Sequence, residues 1–103
     1  MSEITVTQEE SGRTIRASVG DIVLIKLSEN PTTGYRWRIE AARGLVLSND
    51  DFAPGSGVGA AGERTVRFAA ASPGLANITM TLRRPWETVP QARFELAVDV
   101  TLS

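Results

Sequence analysis

The sequence predicts an all-β protein built as an antiparallel β-sandwich, and two observations support this prediction. Apolar and polar residues alternate with a period of two along most of the chain, which is typical of strands with one buried and one solvated face. Turn-forming residues interrupt this alternation at short intervals, and no stretch shows the stripe of an amphipathic helix. Several short strands separated by regular turns favour a sandwich.

The alternation defines a short first strand around Ile4 and Val6 and six further strands, named B to G in chain order. These are the segments DIVLIKL (21–27), YRWRI (35–39), residues 47–52, RTVRFAA (64–70), LANITMTL (75–82) and RFELAVDV (93–100). The stretch from Glu40 to Phe52 is the least regular, and we interpret it as one or two short strands with a loop. Turns are predicted at Val19-Gly20-Asp21, Asn30-Pro31, Ala53-Pro54-Gly55, Ser72-Pro73-Gly74, Arg84-Pro85 and Val89-Pro90.

Alternation also predicts which side chains face the core. On the dry faces we place Val23, Ile25 and Leu27 of strand B, Tyr35, Trp37 and Ile39 of strand C, Val66 and Phe68 of strand E, Ile78, Met80 and Leu82 of strand F, and Phe94, Leu96, Val98, Val100 and Leu102 of strand G.

Length and charge limit the possible classes of protein. The 103 residues suit one domain over residues 1–103, and a hydrophobic content of 42% is enough for one core. Eleven basic and twelve acidic residues give a net charge of -1, which is not the basic character of a nucleic-acid binder. No apolar run approaches about 18 residues, so we expect no membrane span. We expect a monomer.

Two absent residue types weigh against catalysis. The chain has no cysteine, and therefore no disulfide, thiol nucleophile or thiolate metal site. It has no histidine, the commonest general base and metal ligand. We therefore expect no enzyme activity, no cofactor and no metal. The first ten residues lack a signal-peptide pattern, which leaves open a cytoplasmic protein or the mature form of an exported one.

A glycine-rich stretch, GSGVGAAGERTVRF, contains G-x-G-x-x-G at Gly57, Gly59 and Gly62. In a dinucleotide-binding turn this spacing lies between a strand and a helix whose N-terminus holds the pyrophosphate. Here Pro54 and Gly55 precede the glycines and a strand pattern follows them, so the phosphate interpretation is rejected. A flexible strand connection is the plain alternative. A backbone without bulky side chains can also enter a narrow cleft in another protein.

Three loops are predicted to gather at one end of the sandwich, because strands B, D and F run in the same direction. The B–C loop contains NPTTGY, the D–E loop contains GVGAAG, and the F–G loop contains RRPWETVPQ. Gly34 suits a turn residue with positive φ. Trp86 follows the strand-breaking Pro85 and is predicted to be exposed, as an interface anchor would be. Trp37 alternates with apolar neighbours and is predicted to lie in the core.

The three loop segments together resemble the chagasin family, which comprises protein inhibitors of papain-like cysteine peptidases from protozoa and bacteria. NPTTGY, GVGAAG followed by Phe68 nine residues after Gly59, and RPW occur in the order and spacing of that family over about residues 19–100. The resemblance implies an immunoglobulin-like β-sandwich that inhibits its partner, a papain-like cysteine peptidase, reversibly and tightly.

The resemblance also implies three peptidase-binding segments. The first, which lies against the catalytic centre of the peptidase, is Asn30, Pro31, Thr32, Thr33, Gly34 and Tyr35. The second, a mobile loop that enters the substrate cleft, is Val58, Gly59, Ala60, Ala61 and Gly62; family members often have two adjacent glycines where this chain has Ala61 and Gly62. The third, whose tryptophan packs beside the catalytic histidine, is Arg84, Pro85 and Trp86.

Two other functions are compatible with the pattern. A non-inhibitory β-sandwich module could use the same loops to bind carbohydrate or a cell-surface partner, with Trp86 stacking on a sugar. A carboxylate enzyme or a calcium site could be built on SNDD, from Ser48 to Asp51. The consecutive Asn49, Asp50 and Asp51 lack the alternate spacing of a calcium-binding loop, so we interpret this segment as a solvated turn.

Overall fold

Within the described residues, 2–56 and 61–102, the computed structural model contains eight strands in two four-stranded sheets. The strands are β1 (Glu3–Thr7), β2 (Arg13–Ser18), β3 (Ile22–Glu29), β4 (Arg36–Arg43), β5 (Leu45–Ala53), β6 (Gly62–Ala70), β7 (Gly74–Arg83) and β8 (Ala92–Thr101). Two single 3₁₀ turns, Gln8–Glu10 and Pro31–Thr33, follow β1 and β3. The predicted all-β sandwich is confirmed.

Sheet I has the strand order β1-β3-β6-β5, and sheet II has the order β2-β8-β7-β4. The pairs within β3-β6-β5 and within β8-β7-β4 are antiparallel. The N-terminal strands differ, because β1 pairs parallel to β3 and β2 pairs parallel to β8. The chain therefore runs along the edge of sheet I, reverses through the first 3₁₀ turn, and returns along the edge of sheet II.

The core lies between the two sheets and contains most of the side chains that the alternation placed there. The largest fully buried side chains are Phe68, Phe94, Ile25, Leu27, Ile78, Met80, Leu96, Val23, Val66 and Val98. They come from β3 and β6 of sheet I and from β7 and β8 of sheet II, the central strands of the two sheets. Fully burying one such side chain is worth about 1.5–3 kcal/mol, so this layer supplies most of the stabilisation.

Five sequence-based expectations need correction. The sequence does not predict strand β2, because Ile15 and Ala17 are the only apolar residues in RTIRAS and are too few to show a clear alternation. Strands β4 and β5 are longer than expected and are separated only by Gly44, whose φ of +82° allows an abrupt reversal. Ser48 to Asp51 form part of the edge strand β5 and not a turn. Alternation assigns Leu102 to the core, but this residue follows the end of β8 and is 77% exposed. Alternation likewise assigns Tyr35 to a dry face, but Tyr35 precedes β4 and lies half-buried against Arg84, outside the core.

No helix formed by residues 2–56 or 61–102 is long and apolar enough to cross a membrane.

Candidate functional site

Strand pairing brings three loops to one end of the sandwich, which we call the loop end. In sheet I, Glu29 at the end of β3 pairs with Gly62 at the start of β6. In sheet II, Arg36 at the start of β4 pairs with Arg83 at the end of β7. The β3–β4 loop joins the two sheets between these pairs. The β3–β4, β5–β6 and β7–β8 loops, which correspond to the B–C, D–E and F–G loops of the sequence, therefore start from adjacent strand ends.

The predicted second segment is only partly described. Gly57, Val58, Gly59 and Ala60 lie outside the described residues, so the expectations for them remain expectations. Ala61 is exposed and Gly62 begins β6. A Cβ atom added at Gly62 would collide with the carbonyl oxygen of Ala53 and with the ring of Phe52. Gly62 is therefore required by the close approach of β5 at the base of this loop.

The β3–β4 loop is held by hydrogen bonds among its own residues. The Asn30 Oδ1 accepts hydrogen bonds from the Thr32 backbone N–H at 3.1 Å and from the Thr32 hydroxyl at 2.7 Å. The Thr33 hydroxyl donates to the Asn30 carbonyl oxygen at 2.8 Å. Gly34 has φ +80° and ends the 3₁₀ turn, as predicted for a turn glycine. Both threonine hydroxyls therefore donate within the loop.

Arg84 connects the first and third predicted segments. Its Nε donates a 2.9 Å hydrogen bond to the carbonyl oxygen of Thr33, which is 51 positions earlier in the chain. Its guanidinium carbon lies 4.4 Å from the ring centroid of Tyr35 and 5.9 Å from that of Trp86. One guanidinium thus contacts an aromatic residue of each loop, an arrangement in which cation–π attraction supports the hydrogen bond. We call the resulting surface, formed by NPTTGY and RPW, the loop ridge.

The two tryptophans have opposite environments, as the sequence predicted. The Trp86 side chain lies on the loop ridge and the residue is 74% exposed. Trp37 is 5% exposed, and its Nε1 donates to the Ser28 carbonyl oxygen at 2.9 Å. Burying an indole with its N–H satisfied stabilises the fold, whereas an exposed indole gains nothing until a partner covers it. Trp86 is therefore available for binding.

A buried ion pair lies directly beneath the loops and was not predicted from the sequence. Glu29 is 3% exposed, and its carboxylate accepts two hydrogen bonds from Arg64, each 2.9 Å long. The same carboxylate accepts the backbone N–H of Trp37 at 2.6 Å. The hydrogen bond to Glu29 is the main reason why the pKa of Arg64 is raised. This network joins the ends of β3, β4 and β6, from which the loops emerge.

The acidic segment Ser48 to Asp51 contacts the neighbouring strand β6. Residues 2–56 and 61–102 contain no cluster of three or more His, Cys, Asp or Glu side chains that could hold a metal ion. The Asp50 carboxylate is instead 2.8 Å from Arg64 Nη1, and the Ser48 hydroxyl donates to the Arg67 carbonyl oxygen at 3.1 Å. These residues support the edge of sheet I.

Comparison with known proteins places this chain in a family. Residues 16–98 match the Chagasin family peptidase inhibitor I42. The chain is 33% identical to Amoebiasin-1 of Entamoeba histolytica over 102 residues, covering 94% of this chain and 99% of that protein. It is 32% identical to Chagasin of Trypanosoma cruzi over 89 residues, covering 79% of this chain and 81% of that protein.

A solved structure shows the same fold. The crystal structure of the cysteine protease inhibitor EhICP2 from Entamoeba histolytica superposes with a TM-score of 0.88 at 27% identity, covering 97% of this chain and 96% of that one. The chain therefore belongs to the chagasin family of peptidase inhibitors. It is an inhibitor of papain-like cysteine peptidases and not an enzyme, as the resemblance in the sequence implied. The alternative of a non-inhibitory binding module finds no support in these comparisons.

Proposed function

We propose that residues 1–103 act as one inhibitor domain that blocks the catalytic cleft of a papain-like cysteine peptidase reversibly and tightly, using the loops at the loop end. The peptidase-binding residues are those of the three segments: Asn30 to Tyr35, Val58 to Gly62, and Arg84 to Trp86. The observation that carries this proposal is the Arg84–Thr33 hydrogen bond, which fixes NPTTGY and RPW in one ridge before any partner binds.

Preorganisation supports the proposal energetically. Association costs several kcal/mol in lost freedom, and ordering a loop adds to that cost. The bonds within the β3–β4 loop and the fixed φ of Pro31 have already restricted this loop in the free protein. Contacts made by the loop ridge can therefore contribute more of their free energy to affinity.

The exposed surface of the loop ridge fits a protein partner. On the loop ridge, Trp86 is 74% exposed, and Pro31 and Pro85 are also exposed. Val89, which follows the ridge in the same β7–β8 loop, is 78% exposed. A standard interface removes about 800 Å² from each partner and concentrates its affinity in a few anchors. Trp86 is the largest exposed side chain of the three segments, and we assign it as the main anchor.

Inhibition by this route requires no chemistry from the inhibitor. The Gly/Ala backbone of the second segment is thin enough to lie in a cleft between two lobes, while the loop ridge covers the rim. The cleft is then closed to substrate. The inhibitor remains intact if its loop does not present a peptide bond in the orientation that the nucleophile can attack.

The test is a titration of active-site-counted papain with the purified protein, following hydrolysis of a small fluorogenic substrate. We expect stoichiometric, reversible loss of activity at nanomolar protein, with an intact inhibitor recovered from the complex. Full activity of papain and of several related cysteine peptidases in excess inhibitor would contradict the proposal. The same protein assayed against a trypsin-like serine peptidase provides the control, for which we expect no inhibition.

A further inference from the structure

We propose that Arg36 and Arg38, together with Arg83 and Trp86, form a cationic groove that binds acidic side chains on the rim of the target peptidase's cleft. This inference rests on the proposed function and adds to it the kind of peptidase surface that the inhibitor prefers. Arg36 and Arg38 of β4 and Arg83 of β7 lie outside the three peptidase-binding segments, whereas Trp86 belongs to the third segment.

The groove lies on the outer face of sheet II beside the loop ridge. Strand β4 alternates, so that Trp37 enters the core while Arg36 and Arg38 are exposed. Arg36 lies directly opposite Arg83 on β7. The groove measures about 450 Å³ and is lined by Pro31, Gly34, Arg36, Arg38, Arg83, Pro85 and Trp86.

The positive charge of this groove is only partly neutralised by the protein itself. Arg83 lies 3.6 Å from Glu40, and it donates to the Glu87 carbonyl oxygen at 2.9 Å. Within residues 2–56 and 61–102, neither Arg36 nor Arg38 belongs to any of the ion pairs. Like charges directly opposite each other on paired strands are destabilising, so the Arg36–Arg83 pair does not serve the fold. A carboxylate placed between the two guanidinium groups would relieve this repulsion.

The position of the groove identifies the partner. Pro31, Gly34, Pro85 and Trp86 line it and also belong to the first and third segments. A peptidase that covers the loop ridge must therefore lie over or beside Arg36 and Arg38. Acidic side chains on that part of its rim would meet the two arginines, whereas basic side chains would be repelled. The arginines thus act as specificity residues that distinguish peptidases by the charge of the rim.

Charges at the edge of an interface act mainly on the rate of association and do so most strongly at low salt. We therefore expect Arg36→Gln/Arg38→Gln to lower the association rate constant by about tenfold at low ionic strength, toward a peptidase with an acidic rim. The difference should shrink as salt is added, because the Debye length falls to about 8 Å at physiological ionic strength.

The experiment compares three inhibitors by stopped-flow inhibition of one papain-like peptidase whose rim is acidic in its own structure, over a range of salt concentrations. The inhibitors are the wild type, Arg36→Gln/Arg38→Gln, and the control Arg16→Gln/Arg43→Gln. Arg16 and Arg43 are also exposed. They lie toward the C-terminal ends of β2 and β4, which are remote from the loop end. Both double variants change the net charge equally, so a difference between them reports the location of the charge.

A second peptidase, the same enzyme with the acidic rim residues replaced by their amides, completes the design. We expect the large salt-dependent loss only for Arg36→Gln/Arg38→Gln against the acidic rim. Equal association rate constants for the two double variants would overturn the proposed role of the groove. The proposed function would still stand, because the wild type would still inhibit. Failure of the wild type to inhibit any peptidase would overturn both. An unfolding temperature of Arg36→Gln/Arg38→Gln that is no lower than that of the wild type verifies that the fold is intact.

Discussion

The guanidinium group of Arg64 holds the buried carboxylate of Glu29 through two hydrogen bonds of 2.9 Å, although the residues are 35 positions apart. Glu29 immediately precedes the NPTTGY loop, and Arg64 follows Gly62 by two residues. The pair therefore holds the end of β3, after which the first segment begins, against the start of β6, where the second segment ends. Asp50 of β5 joins this network through its ion pair with Arg64. The guanidinium carbon of Arg64 also lies 5.6 Å from the ring centroid of Phe52.

Arg64→Met is expected to destabilise the fold strongly, because it leaves the Glu29 carboxylate buried without its cation. Breaking one partner of a buried pair typically costs about 3–5 kcal/mol. Urea unfolding would measure the loss. The double variant Glu29→Gln/Arg64→Met should recover part of it, since the amide is neutral and its oxygen can still accept the Trp37 N–H. A double variant no more stable than Arg64→Met would refute the charge-pair explanation.

Arg84→Lys is expected to weaken inhibition by about tenfold while changing the free energy of unfolding by less than about 1 kcal/mol. A lysine cannot donate to the Thr33 carbonyl oxygen while presenting a planar group to Tyr35, so the loop ridge loses its preorganisation. Inhibition constants against papain would measure the effect. Arg43→Lys, at the far end of β4, is the matched control. Equal inhibition constants for the two variants would show that Arg84 does not organise the ridge.

Trp86→Ala is expected to cost about 2 kcal/mol or more of binding free energy, equivalent to roughly a thirtyfold rise in the inhibition constant. Because Trp86 is 74% exposed, the unfolding temperature should hardly change. Leu75→Ala provides a control, since Leu75 is 67% exposed on β7 near its end remote from the loops. A Trp86→Ala protein with the wild-type inhibition constant would remove Trp86 from the set of anchors.

Gly62→Ala is expected to destabilise the protein by about 1–3 kcal/mol, because the new Cβ collides with Ala53 and Phe52 and the base of the second segment must move. Ala61→Gly, one residue earlier at an exposed position, should change stability by no more than about 0.5 kcal/mol, the usual range for a surface site. Thermal unfolding of both variants would test this contrast. Equal stability of Gly62→Ala and wild type would mean that the two strands can separate without cost.

Asp21 lies at the end of the sandwich remote from the loops, and it is expected to make the free energy of unfolding depend on pH. Its carboxylate accepts the backbone N–H groups of Ser18 and Ser2, each at 2.8 Å, and these bonds, that from Ser18 foremost, lower its pKa. A lowered native pKa gives stabilisation that is complete above the unfolded value of about 3.9 and is lost as the pH falls through the native pKa. Asp21→Asn should therefore flatten the acid limb of the stability–pH curve. Curves that run parallel for the variant and the wild type would contradict this assignment.

Much of this protein follows from local sequence. Alternation predicted the core-facing side chains of β3, β6, β7 and β8, because a strand with one dry face must repeat every two residues. Pro85, which precedes Trp86, predicted the exposure of this tryptophan, and Gly34 predicted the positive φ of the first loop. The resemblance of NPTTGY and RPW to known loop segments indicated the family. Each of these inferences depends on residues that are close together in the chain.

The tertiary structure decided which distant residues meet. The sequence shows Glu29 and Arg64 as two ordinary charged residues, and only the β3–β6 register buries them together. The pairing of β4 with β7 likewise places Arg36 opposite Arg83 beside Trp86, and the fold of the loops brings Arg84 to Thr33. Ser48 to Asp51 resemble a turn in composition, but pairing with β6 and the Asp50–Arg64 bond hold them in an edge strand. Local pattern determines which face of a strand is buried. Hydrogen bonds between residues 35 to 51 positions apart depend instead on strand register, which is set by the packing of the whole sandwich.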